Sequence, residues 1–470
     1  MALTGLEIFK LLPKTNCKKC GRATCLAFAM QLAQKKAELK DCPDVSDEAK
    51  GILGAASAPP IKLVTIGVGD KKIDIGEENV LFRHDEKFYH PTGVAVTLSD
   101  DLDDAAFTER LNKINGLKFT RVGTEIEIDL IALLNKSGDA TKFANRAKQV
   151  SENTHLSLIL ESKSADNMKA AVETCADKKP LIFGANSDNW EAMASIAKEK
   201  SCPMSISAST LEELADMTEK IKESGVTDIV LNQVSESTKE ILHGLTKIRR
   251  AALKKAFRQL GYPAITYMPS YEPAQEVASA SVFIAKYAGI VIVNACEPWQ
   301  IMPLLTVRQN IFTDPQKPVQ VEPKLYEVGQ VNENSPVLFT TNFSLTYYTV
   351  EGEVEASRIP AYILAVGTEG TSVLTAYSGD KLNEDVIAKA MADAKVEEKV
   401  NHKKLIVPGL VAILSAKIQE KTKWEIKYES LWSMVCGTQG CCKPYHDLSD
   451  RGRAVHCIKY ETRTVPRIFS

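Results

Sequence analysis

Short apolar runs recur along the middle of the chain, separated by amphipathic stretches of helical period. The runs fall at Val94–Leu98, Lys118–Val122, Leu156–Leu160, Leu181–Phe183, Met204–Ser207, Ile229–Leu231, Ala264–Met268 and Ile290–Val293. Between them lie helical patterns such as Ser209–Ser224 and Ser235–Leu260. Strands covered by helices on both faces have no polar side to show, so they read as continuous apolar text. Eight strand–helix units in succession predict an α/β architecture with a central (β/α)8, TIM-like barrel. A doubly wound sheet is the competing arrangement.

Polar residues stand where these strands end: Glu161, Asn186, Asn232, Gln233, Asn294 and Glu297. Barrels place chemistry there, but strand-end polar groups more often cap the next helix. No paired carboxylates and no nucleophile with its base stand at a recognisable spacing.

The alternation is framed by joints. Gly54–Pro60 is a small-residue and proline stretch, followed by β-rich text over Lys62–Leu81, and Asp314–Pro323 is a second, proline-rich joint. Beyond Ser335 a new alternation begins, with strands expected at Val337–Thr341, Tyr362–Val366 and Leu405–Val407. Each runs into a small or hydroxylated loop that opens a helix: Asn342–Ser344, Gly367–Ser372 and Pro408–Gly409. This predicts an open, Rossmann-like α/β sheet that takes a ligand at the carboxyl ends of its strands. Gly367 and Gly370, followed by Thr371, Ser372 and Thr375, lack the phosphate-loop lysine and miss the dinucleotide fingerprint. A surface with little bulk and several hydroxyls suits a large flat ligand; ordinary helix caps are the blander reading.

Composition narrows the function classes. The 470 residues exceed what one core usually supports, and 44% apolar content is ample for two or three domains. The 58 basic and 60 acidic side chains leave a formal charge of -2, with no single-sign field to attract nucleic acid. Apolar stretches such as Ala288–Cys296 fall short of the roughly 20 residues a membrane helix needs. Met1–Lys14 has an early Glu7 and no basic start before an apolar block, so it does not read as a secretion signal, and a cytoplasmic location is expected.

Cys17, Cys20 and Cys25 form Cys-x2-Cys-x4-Cys, and Cys42 follows after sixteen further residues. Four thiolates is the number a 4Fe-4S cubane needs. The helix-like stretch Ala27–Leu39 brings in the fourth. Gly21 allows close backbone approach, and Lys18, Lys19 and Arg22 offset thiolate charge or form a solvated basic face. Structural zinc is the alternative, although two Cys-x2-Cys knuckles are its usual spacing. Cys175, Cys202 and Cys296 sit alone in apolar or helical text and read as packed thiols.

Taken together, Leu3–Ile8 with Leu12, Pro13 and the cysteines, Asn342–Thr346, Val366–Gly370 and Ser372–Ala376 resemble the large subunits of the corrinoid iron-sulfur proteins of the acetyl-CoA (Wood–Ljungdahl) pathway. The resemblance runs from about residue 1 to 427. It implies a cluster domain over 1–58, a barrel over 59–322, a corrinoid-binding α/β domain over 323–428 and a divergent tail over 429–470. It implies a carrier: cob(I) accepts a methyl group from methyltetrahydrofolate through a separate methyltransferase and passes it to acetyl-CoA synthase. The partners implied are a small barrel subunit, that methyltransferase, CO dehydrogenase/acetyl-CoA synthase and a low-potential electron donor. A 4Fe-4S cluster on Cys17, Cys20, Cys25 and Cys42 would return cob(II) to the reactive state. Carried over by motif, Ser344, Thr346, Gly370, Ser372, Thr375 and Gly409 contact the corrinoid, with Thr375 beside the lower face of cobalt. None of the seven histidines lies in the Asp-x-His-x-x-Gly motif that other methyl carriers use as a lower ligand.

Two departures stand out. Tyr377–Asp380 replaces the small residues expected after the preceding helix start, and from about Tyr428 the resemblance stops. The tail carries Cys436, Cys441, Cys442, His446, His456 and Cys457, which read as an irregular appendage rather than a second metal site. Two further functions remain open: a pterin-binding barrel methyltransferase, and an iron-sulfur electron-transfer scaffold.

Overall fold

Eight parallel strands close into a barrel: β3 (Gly93–Ser99), β6 (Leu130–Leu134), β7 (Ser157–Glu161), β8 (Leu181–Ala185), β9 (Met204–Ala208), β10 (Ile229–Gln233), β11 (Ala264–Tyr267) and β12 (Ala288–Val293). The labels count two short hairpins as well, β1 (Val64–Ile66) with β2 (Ile73–Ile75) and β4 (Lys118–Arg121) with β5 (Thr124–Glu127). This computed structural model describes residues 5–33, 37, 39–46, 49, 59–268, 271–314 and 318–428. The cysteines and histidines of the tail lie outside the described residues, as do 54–58 and 315–317 of the two joints.

One strand assignment needs correction. Lys118–Val122 is not a barrel strand; its residues alternate between exposed and half-buried in the β4–β5 hairpin. The second barrel strand is Leu130–Leu134, which is buried at every position. A two-stranded ribbon keeps one face in water and so carries Lys118, Thr120 and Arg121, whereas a barrel strand has no wet face. The β-rich text after the first joint forms β1 and β2. The helices are shorter than their patterns, at Leu211–Glu223 and Thr238–Lys255, the second followed by a 3-10 turn at Arg258–Leu260.

Alternation along each strand divides the core in two. Leu130, Ala132 and Leu134 join Ile159, Leu181, Val230, Ile265 and Ile292 inside the barrel, and Val64, Ile66 and Ile75 of the first hairpin pack into the same cluster. Ile131, Leu133, Leu158 and Leu160 point outward among helix residues such as Phe143 and Ala147. Each fully buried aliphatic side chain contributes roughly 1.5–3 kcal/mol. Two ion pairs brace the shell: Arg308 with Asp129, half-buried, and Arg249 with Glu78, buried, at 3.1 Å.

The chain divides into two compact units between Pro318 and Val319. The second holds a five-stranded sheet in the order β13-β15-β14-β16-β17, where β13 is Leu325–Val328, β14 Val337–Thr341, β15 Ala361–Val366, β16 Lys404–Val407 and β17 Glu425–Tyr428. β13 is antiparallel to β15 and the other pairs are parallel. Alternation again sorts the faces. Tyr362, Leu364 and Val366 pack with Ile387 and Ile418, while Ile363 and Ala365 pack with Tyr347 and Val350. Helices therefore cover both sides of the sheet, as the strand pattern predicts.

Candidate functional site

In the second unit the chain leaves β14 for its neighbour β15, then crosses to β16 on the other side of β14. Connections that depart in opposite directions from adjacent strands leave a crevice beyond their carboxyl ends, here between β14 and β16. The loops around it are Asn342–Phe343 before the helix Ser344–Ser357, 367–372 before the helix Val373–Ser378, and Pro408 before the 3-10 segment Gly409–Leu414.

Asn342 organises these loops. It is fully buried, and its Oδ1 accepts from Thr368 N at 2.9 Å, Gly370 N at 3.1 Å and Thr368 Oγ1 at 3.2 Å. Its Nδ2 donates to Gln320 Oε1 at 2.9 Å and to the Val321 carbonyl at 3.4 Å. The loop turns through Glu369 (φ 56°) and Gly370 (φ 71°), both left-handed, and Lys381 pairs with Glu369. Glycine supplies one of those conformations without strain. The sequence pattern offered Asn342 only as part of a motif; its use of nearly every polar valence depends on contacts far along the chain.

The six residues expected at a corrinoid lie around this crevice. Ser344 and Thr346 occupy the first turn after β14, with Ser344 buried and Thr346 half-buried. Gly370 is buried in the β15 loop, and Ser372 and Thr375 open the next helix with their hydroxyls 3.0 Å apart. Gly409 follows β16. Two observations fit these residues to a large, partly apolar ligand. The hydroxyls of Thr341 and Ser415 are buried without a partner, and Leu374 (49% exposed) and Ile413 (73% exposed) hold apolar surface in water beside the strand ends. His402, the one histidine among the described residues of this unit, sits at the amino end of β16. Its Nε2 donates to the Ser335 carbonyl at 2.9 Å.

The four cysteines near the N-terminus form a second site. Thr24 caps the helix Cys25–Ala33 through its hydroxyl to Ala27 N, which puts Cys25 at the positive end of a helix. The helix is described to Ala33, short of the expected Leu39, and Cys42 follows a 3-10 turn at Leu39–Asp41. Asn16 locks the entry loop: its N–H reaches Cys25 Sγ at 3.3 Å and its Oδ1 accepts from Cys25 N at 2.8 Å. Lys19 and Asp44, 3.0 Å apart, tie the Cys17–Cys20 loop to the segment carrying Cys42.

Burial pushes the Cys42 thiol above its ordinary range, and Cys20, Cys17 and Cys25 are near enough to push the same way. The loop fits an anionic cluster in two respects. Lys14, Asn16 and Lys18 all have left-handed φ, which curls the backbone around Cys17. Arg22 Nε is a buried donor without a partner. Among the described residues no three His, Cys, Asp or Glu side chains converge as one metal ion requires. A cubane instead carries one thiolate on each of four irons, which calls for a wider ring of sulfurs. Cys175, Cys202 and Cys296 are buried free thiols, and burial pushes Cys175 up to about 12 and Cys202 to about 11.

The strand-end polar groups of the barrel divide. Glu297 caps the helix Pro298–Phe312 in a capping box, and Gln233 points outward against Gly244. Glu161 and Asn232 face the barrel axis, as their parity with Ile159 and Val230 requires. Burial pushes Glu161 up to about 7, against the pull of Lys136 and Lys163. Among the described residues no helix is long and apolar enough to cross a membrane.

Comparisons with known proteins agree with this anatomy. A family described as CO dehydrogenase/acetyl-CoA synthase delta subunit matches residues 63–434, and one described as a putative Fe-S cluster matches residues 12–43, which span all four cysteines. The corrinoid/iron-sulfur protein large subunit of Moorella thermoacetica is 45% identical over 426 residues, 91% of this chain and 96% of the relative. The acetyl-CoA decarbonylase/synthase complex subunit gamma of Methanothermobacter thermautotrophicus is 37% identical over 439 residues, again 91% of this chain and 96% of the relative. Among solved structures, a dihydropteroate synthase from Coxiella burnetii aligns at TM-score 0.39 and 12% identity, covering 54% of this chain and 100% of that one. With its cysteine loop, closed barrel and open α/β sheet, the chain belongs to the family of corrinoid/iron-sulfur protein large subunits and acetyl-CoA decarbonylase/synthase gamma subunits.

Proposed function

We propose that the chain is a methyl carrier, with a corrinoid at the β14–β16 crevice of the C-terminal α/β domain and a 4Fe-4S cluster on Cys17, Cys20, Cys25 and Cys42. When bound, the corrinoid supplies a cobalt that takes up and releases a methyl group, and the cluster supplies low-potential electrons that restore oxidised cobalt. The observation that carries the reading is the strand-end crevice itself, ringed by small residues, unpartnered hydroxyls and exposed apolar side chains.

Asn342 holds the Gly367–Gly370 loop so that Gly370 leaves room for a ring edge. Ser372 and Thr375 keep two hydroxyls, already paired to each other, at the start of one helix, and Ser344 and Thr346 supply two more after β14. Leu374 and Ile413 exclude water from the flank of a flat ligand. His402 is tied to the Ser335 carbonyl at the far end of the strands, so it does not offer an imidazole to this crevice. At the cysteine loop, the left-handed residues Lys14, Asn16 and Lys18 curl the backbone around Cys17, and the buried, unpartnered Arg22 Nε–H is a donor that would stabilise an anionic sulfur cluster. The proposed partners are a small barrel subunit, a methyltransferase that delivers methyl from a folate or pterin donor, CO dehydrogenase/acetyl-CoA synthase and an electron donor.

The test is anaerobic purification with the small subunit, followed by metal counts. About one cobalt and about four irons per chain are expected, the irons being those of one cubane. A heterodimer that takes up no cobalt overturns the carrier reading, and iron alone leaves an electron-transfer scaffold. Methylation of free cobalamin by this chain without its methyltransferase favours a methyl-transferring barrel instead.

A further inference from the structure

The carboxyl end of the barrel opens into a cavity of about 770 Å³ that the methyl-carrier reading does not use. Its wall is the last inward-facing layer of the strands: Leu134, Glu161, Phe183, Ser207, Asn232 and Tyr267. The inward positions below it are mostly Leu, Ile, Val and Ala, with Ser205 and Thr97 among them, and a layer this polar stands out from that packing. The volume is within the usual range for small-molecule sites, roughly 300–1,000 Å³.

Three features give the cavity a chemistry. The first is Glu161, whose Oε2 is buried and has no hydrogen-bond partner. A buried acceptor left unpaired is destabilising, and a donor brought by a ligand removes that cost. Lys136 and Lys163 line the same cavity and act on Glu161 electrostatically, yet neither is ion-paired to it. They supply positive charge without satisfying the carboxyl. The second feature is the aromatic pair Phe183 and Tyr267, with centroids 6.4 Å apart and rings only 16° from parallel. They give a flat ring a surface to stack on. The third is Gly184, held at φ 126°, where a Cβ would lie 2.2 Å from the Ser162 carbonyl. The backbone of β8 approaches that of the loop after β7 so closely there that only glycine fits, which fixes the cavity wall. Around these, Asn135, Ser162 and Asn167 form a closed hydrogen-bond set, with Asn135 Oδ1 accepting from Asn167 Nδ2 at 2.8 Å and from Ser162 Oγ at 3.1 Å. The rim is therefore fixed, while the carboxyl is unspent.

We infer that the barrel mouth binds a planar heterocycle with an amidine-like edge, a ring N–H beside an exocyclic amine, that pairs with the Glu161 carboxylate and carries an anionic tail toward Lys136 and Lys163. Two parallel N–H donors match the two carboxylate oxygens, as in other fork-shaped pairs. A 2-amino-4-oxopyrimidine ring has that edge. It occurs in guanine nucleotides, whose tail is phosphate, and in folates, which are pterins whose tail ends in glutamate carboxylates. The site lies wholly in the first unit, so its fate is independent of whether the second unit carries a corrinoid.

Equilibrium binding to the full chain, titrated with guanosine monophosphate in one arm and folic acid in the other, tests this. Binding of at least one with Kd below ~1 mM is expected. Inosine monophosphate, which lacks the exocyclic amine, should bind at least about tenfold more weakly than the guanine form if that arm is positive, a loss of one paired donor. Glu161→Gln should weaken whichever probe binds by a similar factor, and Lys136→Ala with Lys163→Ala should weaken the tailed probe more than its untailed parent, guanosine or pterin. The stronger arm identifies the source of the ring. Absence of binding in both arms of the wild-type protein overturns the inference without any variant having to fold. Binding that Glu161→Gln leaves unchanged overturns it as well.

Discussion

Gly370 donates its backbone N–H to Asn342 Oδ1 at 3.1 Å, and through that bond the end of β14 sets the shape of the loop after β15. The same oxygen accepts two bonds from Thr368, so one side chain fixes two of the three loops around the crevice. Replacing Asn342 by Ala leaves buried donors at Thr368 and Gly370 unpaired, with an expected loss of about 2–4 kcal/mol from the second unit. Asn342→Asp keeps the acceptor and loses the bonds to Gln320 and Val321, and should cost less. Urea unfolding of the second unit, read alongside cobalt content, checks the order. Equal stability of wild type and Asn342→Ala would remove Asn342 from this role.

Cys20→Ser separates carrier from repair. On the proposed function, cobalt content and methyl transfer from pre-reduced protein persist, while reactivation of oxidised cobalt fails and iron falls. Loss of cobalt together with iron would instead make the cysteine loop a structural element.

Glu161 makes the barrel sensitive to pH. Burial, first among the causes, holds its folded value at about 7, above the ordinary 4.5. The folded state therefore binds more protons than the unfolded state between those values, and stability falls as pH rises from 4.5 through 7. The loss is bounded at roughly 3 kcal/mol, the shift converted at about 1.4 kcal/mol per pH unit. Glu161→Gln removes it. Relative to wild type, the variant should gain urea resistance across that window and hold the gain above it; parallel pH profiles would contradict this.

Arg249 is buried with Glu78 at 3.1 Å, donates twice to the Val80 carbonyl, and lies over Phe88 and Tyr287 at 5.4 and 5.2 Å from the ring centroids. Arg249→Ala should cost about 3–5 kcal/mol because it strands the Glu78 charge. Arg249→Ala with Glu78→Gln should recover part of that loss. If the double variant is as unstable as the single one, the packing of the guanidinium on the rings outweighs its charge.

What the sequence by itself determined is local. Seven of the eight barrel strands and the three central strands of the second sheet are legible because a strand without a wet face must be apolar throughout. The grouping of Cys17, Cys20, Cys25 and Cys42 is legible because thiolate ligands need particular spacings. Tertiary structure decided the rest. Lys118–Val122 imitated a barrel strand because a few β-forming residues in a hairpin look the same until the partner is known; only closure of the barrel selects Leu130–Leu134. β13 and β17 are short edge strands whose pairing comes from neighbours distant in sequence. Asn342 and Glu161 gained their roles the same way. Asn342 acts on backbone 26 and 28 residues further on, and Glu161 is unusual only because barrel closure removes water from its carboxyl without providing a partner. Hydrogen bonding and desolvation depend on what the fold brings near, and a linear pattern carries no record of that.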